Sequence, residues 1–131
     1  MPSITETAPV SKTALWAGYI ISALAVLMLI FSAVVKLVKP PGFAGAMAHL
    51  GWPESHALYL AIVALVGTGL YAIPQTAVLG AILLTGYLGG AIATHVRISE
   101  QFIAPLVFGV LIWLGLFLRD PRLRALIPLR R

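Results

Sequence analysis

The chain has 131 residues, of which 60% are hydrophobic and 10% charged, and its mean hydropathy is +1.00. Because about a quarter of the residues in soluble domains are charged, this composition excludes a soluble globular protein and predicts an integral membrane protein. The chain contains no cysteine, which excludes disulfide chemistry and thiolate metal sites. Its net charge of +5 is concentrated after residue 118, beside a membrane segment, which favours lipid headgroups over nucleic acid as its partner.

Three uncharged stretches cover 13–35, 55–96 and 101–118. Pro74-Gln75-Thr76 divides the second stretch, because proline ends a helix, so the sequence contains four apolar segments. A bilayer core about 30 Å thick needs roughly 20 helical residues. We therefore predict a single all-α domain, an integral membrane antiparallel four-helix bundle with helices over about 15–38, 56–73, 77–96 and 102–118, followed by a basic tail over 119–131.

The first segment also contains Ala23-Leu24-Ala25, which matches the pattern of a signal-peptide cleavage site. The apolar run continues to Val35, however, whereas the hydrophobic region of a signal peptide covers only about 7–15 residues. We therefore expect this segment to remain in the protein as a transmembrane helix.

The loop after the first helix contains apolar residues with helical spacing. Phe43, Met47 and Leu50 recur at i, i+4 and i+7, which places them on one face. Two helical turns are too short to cross a bilayer, so we predict an interfacial helix over about 43–50. His49 lies on the opposite flank from Phe43, where it can face the mouth of the bundle.

Basic residues predict the orientation of the bundle. With four passes, one side carries Lys12, Arg119, Arg122, Arg124, Arg130 and Arg131, and the other carries Lys36, Lys39 and Arg97. Cytoplasmic loops hold an excess of lysine and arginine. We therefore predict that both termini are cytoplasmic.

Small residues recur at four-residue spacing along the predicted helices. Gly86, Gly90 and Thr94 form such a stripe in the third helix, and Ala57 and Ala61 begin another in the second. In lipid, stripes of this kind let helix backbones approach closely. We expect them to pack helices within the bundle, with a homo-oligomer interface as the alternative.

Polar residues at the outer ends of the helices are the candidates for function, because an unpaired ionisable group is costly in a membrane. Lys36 ends the first helix and His95 ends the third, at a similar depth, and Ser32 lies one turn inward from Lys36. We predict a pocket with an apolar interior and a polar mouth, whose candidate ligand-binding residues are Ser32, Lys36, His49, Glu54, Tyr87, His95 and Arg97. The competing interpretation is that the lysines extend to lipid headgroups and the other side chains are solvated.

Metal and haem sites have little support in the sequence. His56 and His95 lie at matching depth on adjacent helices, which is compatible with haem ligation, but no further haem signature accompanies them. The histidines also lack a metal-binding spacing such as His-x-x-x-His. We therefore expect no metal site and no haem.

Several short motifs together resemble the DoxX-like family of small four-helix membrane proteins. They are Phe31-Ser32-Ala33-Val34-Val35-Lys36-Leu37, His49-Leu50-Gly51-Trp52-Pro53, Ala93-Thr94-His95 and the tail from Leu118 to Pro128. The resemblance extends from about Leu15 to Arg130 and implies a bundle in the bacterial inner membrane. It also implies that Ser32, Lys36, His49, Pro53 and His95 occupy positions of the family pattern. Because the family is named after subunits of a thiosulfate:quinone oxidoreductase, the resemblance implies a link to quinones.

Three functions stay open from the sequence. The first is an accessory or ligand-binding protein whose pocket opens towards the outer leaflet and holds a hydrophobic small molecule, such as a quinone, in a redox-associated complex. The second is a membrane enzyme in which His95 acts as general acid or base and Lys36 stabilises an oxyanion or enolate. The third is a purely structural subunit of a larger membrane complex.

Overall fold

The computed structural model describes residues 11–126. Within this range the helices are α1 (Lys12–Val38), α2 (Phe43–Leu50), α3 (Ala57–Ala72), α4 (Ala77–Arg97), α5 (Ile103–Arg119) and α6 (Pro121–Leu126). Short 3-10 turns, Glu54–His56 and Pro74–Thr76, precede α3 and α4. The described chain is therefore all-α, with no β-strand between residues 11 and 126, as the composition predicts.

Three helical segments are long and apolar enough to cross a membrane: Lys12–Val38, Glu54–Ala72 and Pro74–Arg97. The fourth, α5, is also apolar but has 17 residues, which is about 25 Å of helix against a hydrocarbon core of roughly 30 Å. Large hydrophobic side chains cover the outer faces, and Phe31 and Trp16 are 70% and 67% exposed. Lipid solvates such surfaces and water does not. The protein is therefore a membrane protein whose helices contact the bilayer.

The ends of α1 follow from the local sequence. The hydroxyl of Ser11 accepts a hydrogen bond of 3.1 Å from the backbone N–H of Ala14, so Ser11 is the N-cap and α1 begins before Leu15. At its other end, Lys39 adopts a left-handed conformation with φ of 54°. Pro40 and Pro41 follow, and proline cannot continue a helix.

The basic tail begins with a short helix that the sequence did not predict. A side-chain oxygen of Asp120 accepts a hydrogen bond of 2.9 Å from the backbone N–H of Arg122, and Pro121 occupies the first helical position. Leu123 of α6 is buried against the core. Residues 127–131 of the predicted tail, with Arg130 and Arg131 of the orientation argument, lie outside the described residues.

The long helices form a ring, because α1 and α4 each pack against both α3 and α5. Glycine permits the closest approaches. A Cβ on Gly80 of α4 would lie 2.6 Å from the Cα of Tyr71, and one on Gly18 of α1 would lie 2.9 Å from the carbonyl oxygen of Gly115. The absence of side chains at these positions therefore brings α3 against α4 and α1 against α5.

A buried polar network lies in the half of the ring near the end of α5. The hydroxyl of Tyr71 donates to the carbonyl oxygen of Ile112 over 2.7 Å, so the hydroxyl of Ser22, at 3.1 Å, donates to Tyr71. Arg119 donates to the carbonyl oxygen of Tyr71 over 3.2 Å, and its guanidinium carbon lies 4.9 Å from the centroid of the Tyr71 ring. These contacts join α1, α3 and α5.

Candidate functional site

A cavity of about 410 Å³ lies at the opposite half of the ring, among α1, α4 and α5. Met47 and Leu50 of α2 close its end, together with Trp52 in the following loop. Most of its wall is apolar. The polar side chains on the wall are Ser32, Lys36, Tyr87, Thr94 and His95.

Lys36 is held in position by its own helix. Its Nζ atom donates to the hydroxyl oxygen of Ser32 over 2.8 Å and approaches the carbonyl oxygen of Ser32 at 3.4 Å. Residues four apart lie on the same face of a helix, so the backbone of α1 sets this geometry. Both side chains are half-buried. Since an ammonium group carries three protons, a ligand in the cavity can accept another hydrogen bond from Lys36.

His95 presents a hydrogen-bond acceptor when its ring is neutral. Its Nδ1 atom lies 2.7 Å from the carbonyl oxygen of Ala91. A carbonyl oxygen only accepts, so Nδ1 carries the proton and Nε2 is the acceptor of the neutral ring. The neighbouring hydroxyl of Thr94 is already bonded to the carbonyl oxygen of Gly90 over 2.8 Å. In residues 11–126 no hydrogen bond occupies Nε2 of His95.

A second cavity, of about 620 Å³, lies between α1 and α2. Leu27, Phe31 and Val35 of α1 form one side of it, and Phe43 and Ala46 of α2 form the other. The two cavities share a set of lining residues: Ser32, Lys36, Met47, Leu50 and Phe108. The Ser32–Lys36 pair therefore borders both spaces.

The remaining candidate residues contact other groups instead of lining either cavity. His49 Nε2 lies 2.6 Å from a carboxylate oxygen of Glu100. The Nζ atom of Lys39 lies 3.8 Å from a carboxylate oxygen of Glu54. The structure thus brings Ser32, Lys36, Tyr87 and His95 to one cavity, whereas His49, Glu54 and Arg97 line neither cavity. The His49–Glu100 contact connects α2 to the segment after α4, and the Lys39–Glu54 contact connects the two loops that flank α2.

Comparison with models of known protein families shows which family the chain is related to. The model of the DoxX-like family matches residues 20–115. The chain belongs to the DoxX-like family. This confirms the resemblance seen in the sequence, and the matched range includes all residues that line the two cavities. Neither the curated proteins nor the solved structures give a match to the chain.

The glycine stripe of α4 does not pack against another described helix of this DoxX-like protein, in contrast to the expectation from the sequence. A Cβ added to Gly86 or Gly90 would meet no atom within 4 Å, so these glycines do not bring helix backbones together. Both line the 410 Å³ cavity, and their missing side chains leave space in it. Ala57 and Ala61 of α3, by contrast, are buried as the stripe predicts.

His56 of the DoxX-like protein does not share a cavity with His95. Its ring lies between Trp52 and Tyr59, with centroid distances of 6.2 and 5.9 Å. Its Nδ1 atom is buried and has no hydrogen-bond partner within the described residues. Residues 11–126 also contain no group of three or more His, Cys, Asp or Glu side chains arranged to hold a metal ion.

Trp52 and Phe108 are lining residues that the sequence did not single out as candidates. Trp52 belongs to the motif His49-Leu50-Gly51-Trp52-Pro53, which was interpreted through its histidine. Phe108 is an ordinary apolar residue of α5 by sequence, and its place in the cavity depends on how α5 packs. Only the first of these two carried a recognisable signal.

Proposed function

We propose that this DoxX-like protein is an accessory, ligand-binding membrane protein that holds a hydrophobic small molecule with a polar head, such as a quinone, in the 410 Å³ cavity. The observation that carries the proposal is the Ser32–Lys36 pair, a charged donor fixed on the wall of a largely apolar space. Small-molecule sites in proteins usually combine apolar walls with a few convergent polar groups.

Lys36 and His95 have complementary roles in the proposed site. Lys36 donates, so it binds a quinone carbonyl oxygen, whereas Nε2 of neutral His95 accepts, so it binds the hydroxyl of the reduced form. Leu29, Met47 and Phe108 supply apolar surface for the rest of the molecule. The opening of the second cavity between α1 and α2 provides a route from the lipid.

The proposal includes a membrane arrangement. The four long helices cross the bacterial inner membrane as a single antiparallel bundle, with cytoplasmic termini and with α2 at the outer interface. The Pro74–Thr76 turn between α3 and α4 supports antiparallel neighbours, because short connections join helices of opposite direction. Because α5 falls slightly short of the bilayer core, local thinning of the lipid accommodates it. The cavity then faces the outer leaflet.

Ligand analysis of the purified protein tests the proposal. The protein is extracted in native lipid and its small molecules are identified by mass spectrometry. We expect one apolar molecule with a polar head per chain, and a loss of that molecule in Lys36→Ala and His95→Ala. Lys39→Ala is the matched control, because Lys39 pairs with Glu54 outside the cavity. Full ligand content in both cavity variants would contradict the proposal.

A membrane enzyme is the second candidate, and the acceptor nitrogen of His95 favours it. In this function Nε2 takes a proton from the bound molecule while Lys36 stabilises the resulting oxyanion or enolate. His95→Gln separates the two functions. An enzyme loses turnover while it keeps the ligand, whereas a binding protein shows no turnover before or after the change.

Participation in a redox-associated complex is the third element of the proposal. A cavity of about 490 Å³ on the outside of the ring, between α4 and α5, has an almost entirely apolar wall that includes Ile92, Leu106 and Val110. Such a surface suits a helix of another membrane subunit. Purification from native membranes without overexpression tests this, and isolation of the chain alone would contradict it.

A further inference from the structure

The charge of Lys36 has no acidic partner within the described chain. At the same end of the bundle, Glu54 lies against Lys39 and Glu100 lies against His49. Asp120 lies at the opposite end, where it caps α6. Between residues 11 and 126, the Lys36 ammonium therefore contacts only the neutral oxygen atoms of Ser32.

A cation without a counter-charge is costly where water is scarce, because its attraction to neutral oxygen atoms replaces only part of its hydration. Lys36 is half-buried and lines an apolar cavity. Extension of its side chain to the headgroups would relieve this cost, but its Nζ atom instead points back along α1 to Ser32. An anion in the cavity would supply the missing charge.

The neighbouring hydroxyl group favours the same kind of ligand. The oxygen atom of Ser32 accepts a hydrogen bond from Lys36, so its own proton is available to donate. Two donors, one of them charged, therefore converge on one side of the cavity. Hydrogen bonds between charged partners are about twice as strong as those between neutral groups.

The shape of the space indicates what carries the anion. The Ser32–Lys36 pair borders both cavities, and the second cavity leads along α1 and α2. Its wall includes Met28, and Phe31 beside it is among the most exposed side chains of the described helices. A polar head at Lys36 thus has an apolar path from the cavity to the lipid.

We infer that the ligand of this site is an anionic amphiphile, with a carboxylate or phosphate head on an acyl chain. The head binds Lys36 and Ser32, and the chain lies between α1 and α2 towards the bilayer. The inference rests on the proposed function, a site for an apolar molecule with a polar head, and replaces the neutral quinone named there with a molecule whose head is negatively charged. It gives no role to the acceptor nitrogen of His95.

Photo-crosslinking in phosphatidylcholine nanodiscs tests the inference with the full chain. The two probes are a palmitate that carries a diazirine on its chain and the fatty alcohol of the same chain and diazirine position. Labelled peptides are then mapped by mass spectrometry. We expect the acid to label peptides that contain Phe31, Leu50 and Phe108 about tenfold more than the alcohol does, as removal of a charge-assisted hydrogen bond in an apolar site implies.

Variants connect the labelling to Lys36. Lys36→Gln lowers labelling by the acid to the level of the alcohol, and Lys36→Arg, which keeps the charge, retains most of it. Lys39→Gln is the matched control and leaves labelling unchanged, because Lys39 pairs with Glu54 outside the cavity. Unchanged labelling by the acid in Lys36→Gln would overturn the inference.

The outcomes separate the inference from the proposed function. Equal labelling of these peptides by acid and alcohol overturns the anionic head but leaves a ligand site in place. Labelling by neither probe overturns the inference, and the ligand content of the purified protein then decides the proposed function separately. Phosphatidylglycerol added to the nanodiscs distinguishes the sources of the head: competition with the acid identifies a phospholipid phosphate, and unchanged labelling identifies a fatty carboxylate.

Discussion

The guanidinium group of Arg97 donates a hydrogen bond of 2.5 Å to the carbonyl oxygen of Leu50. Arg97 is the last residue of α4 and Leu50 is the last residue of α2, so this contact connects the end of a long helix to the short helix that closes the cavity. The pair His49–Glu100 makes a second connection beside it. Residues that looked like ligand-binding candidates in the sequence thus hold α2 in place.

The contact of Arg97 predicts the mobility of α2. We expect Arg97→Ala to accelerate amide exchange in residues 46–51 roughly fivefold, because one partly exposed hydrogen bond from a charged group contributes about 1 kcal/mol. Hydrogen–deuterium exchange in nanodiscs measures this. Arg122→Ala, at the opposite end of the chain, serves as the control. Equal exchange of α2 in all three proteins would show that the contact does not hold α2.

Gly51 allows the close approach of Arg97. Its φ is 81°, and a Cβ on it would lie 3.3 Å from the guanidinium carbon and still closer to one nitrogen. We expect Gly51→Ala to destabilise the protein by about 1–2 kcal/mol through left-handed strain alone. The matched control is Gly45→Ala in α2, which meets nothing within 4 Å and should be neutral or stabilising by up to about 1 kcal/mol. Thermal unfolding in nanodiscs compares the two, and equal Tm values would contradict the prediction.

Gly86 offers a way to fill the cavity without disturbing a helix contact. A larger side chain there enters the 410 Å³ cavity, because no atom lies within 4 Å of the added Cβ. A leucine side chain would crowd a ligand that shares this cavity, and overpacking of this kind costs about 1–3 kcal/mol. We therefore expect Gly86→Leu to lower ligand content roughly tenfold. Gly89→Leu is the control, since Gly89 lines the separate cavity between α4 and α5. Mass spectrometry of bound ligand measures both, and a similar loss in the two variants would point to a general effect on folding.

The buried hydroxyl groups of Ser22 and Tyr71 should act as one unit. Tyr71→Phe removes the donor to Ile112 and the acceptor for Ser22, with an expected loss of about 1–2 kcal/mol. Addition of Ser22→Ala to this variant should then cost little. Reversible unfolding in mixed micelles gives the double-mutant cycle, and we expect a coupling of about 1 kcal/mol. The distant substitution Thr94→Ala should be additive with Tyr71→Phe.

The sequence predicted the all-α fold because the relevant signals are local. Apolar runs indicate helices, Pro74 ends one of them, and the spacing of Phe43, Met47 and Leu50 coincides with α2. The unforeseen helix α6 also has a local cause, a cap by Asp120 followed by proline, which the charge of the tail concealed. These features need no knowledge of distant contacts.

For the site, the sequence predicted only the level along the bundle axis at which its residues lie. Helix ends placed Lys36, His95 and Arg97 at one level, but the direction of each side chain depends on partners far away in the chain. Arg97 turns towards a carbonyl oxygen in another helix, and Lys36 turns back to its own. A small-residue stripe is equally ambiguous, because the same spacing serves a packed interface at Ala61 and an open wall at Gly90.

The two ends of the bundle are built with different stiffness. Around Tyr71 the backbones touch through Gly80, and the hydrogen bonds are buried, so any separation of the helices there exposes unpaired polar groups. At the cavity, α2 is attached by exposed charged side chains that water can replace at small cost. The end of the bundle around Tyr71 is therefore fixed, whereas the end at the cavity can open. Movement of α2 at the cavity leaves the hydrogen bonds around Tyr71 intact.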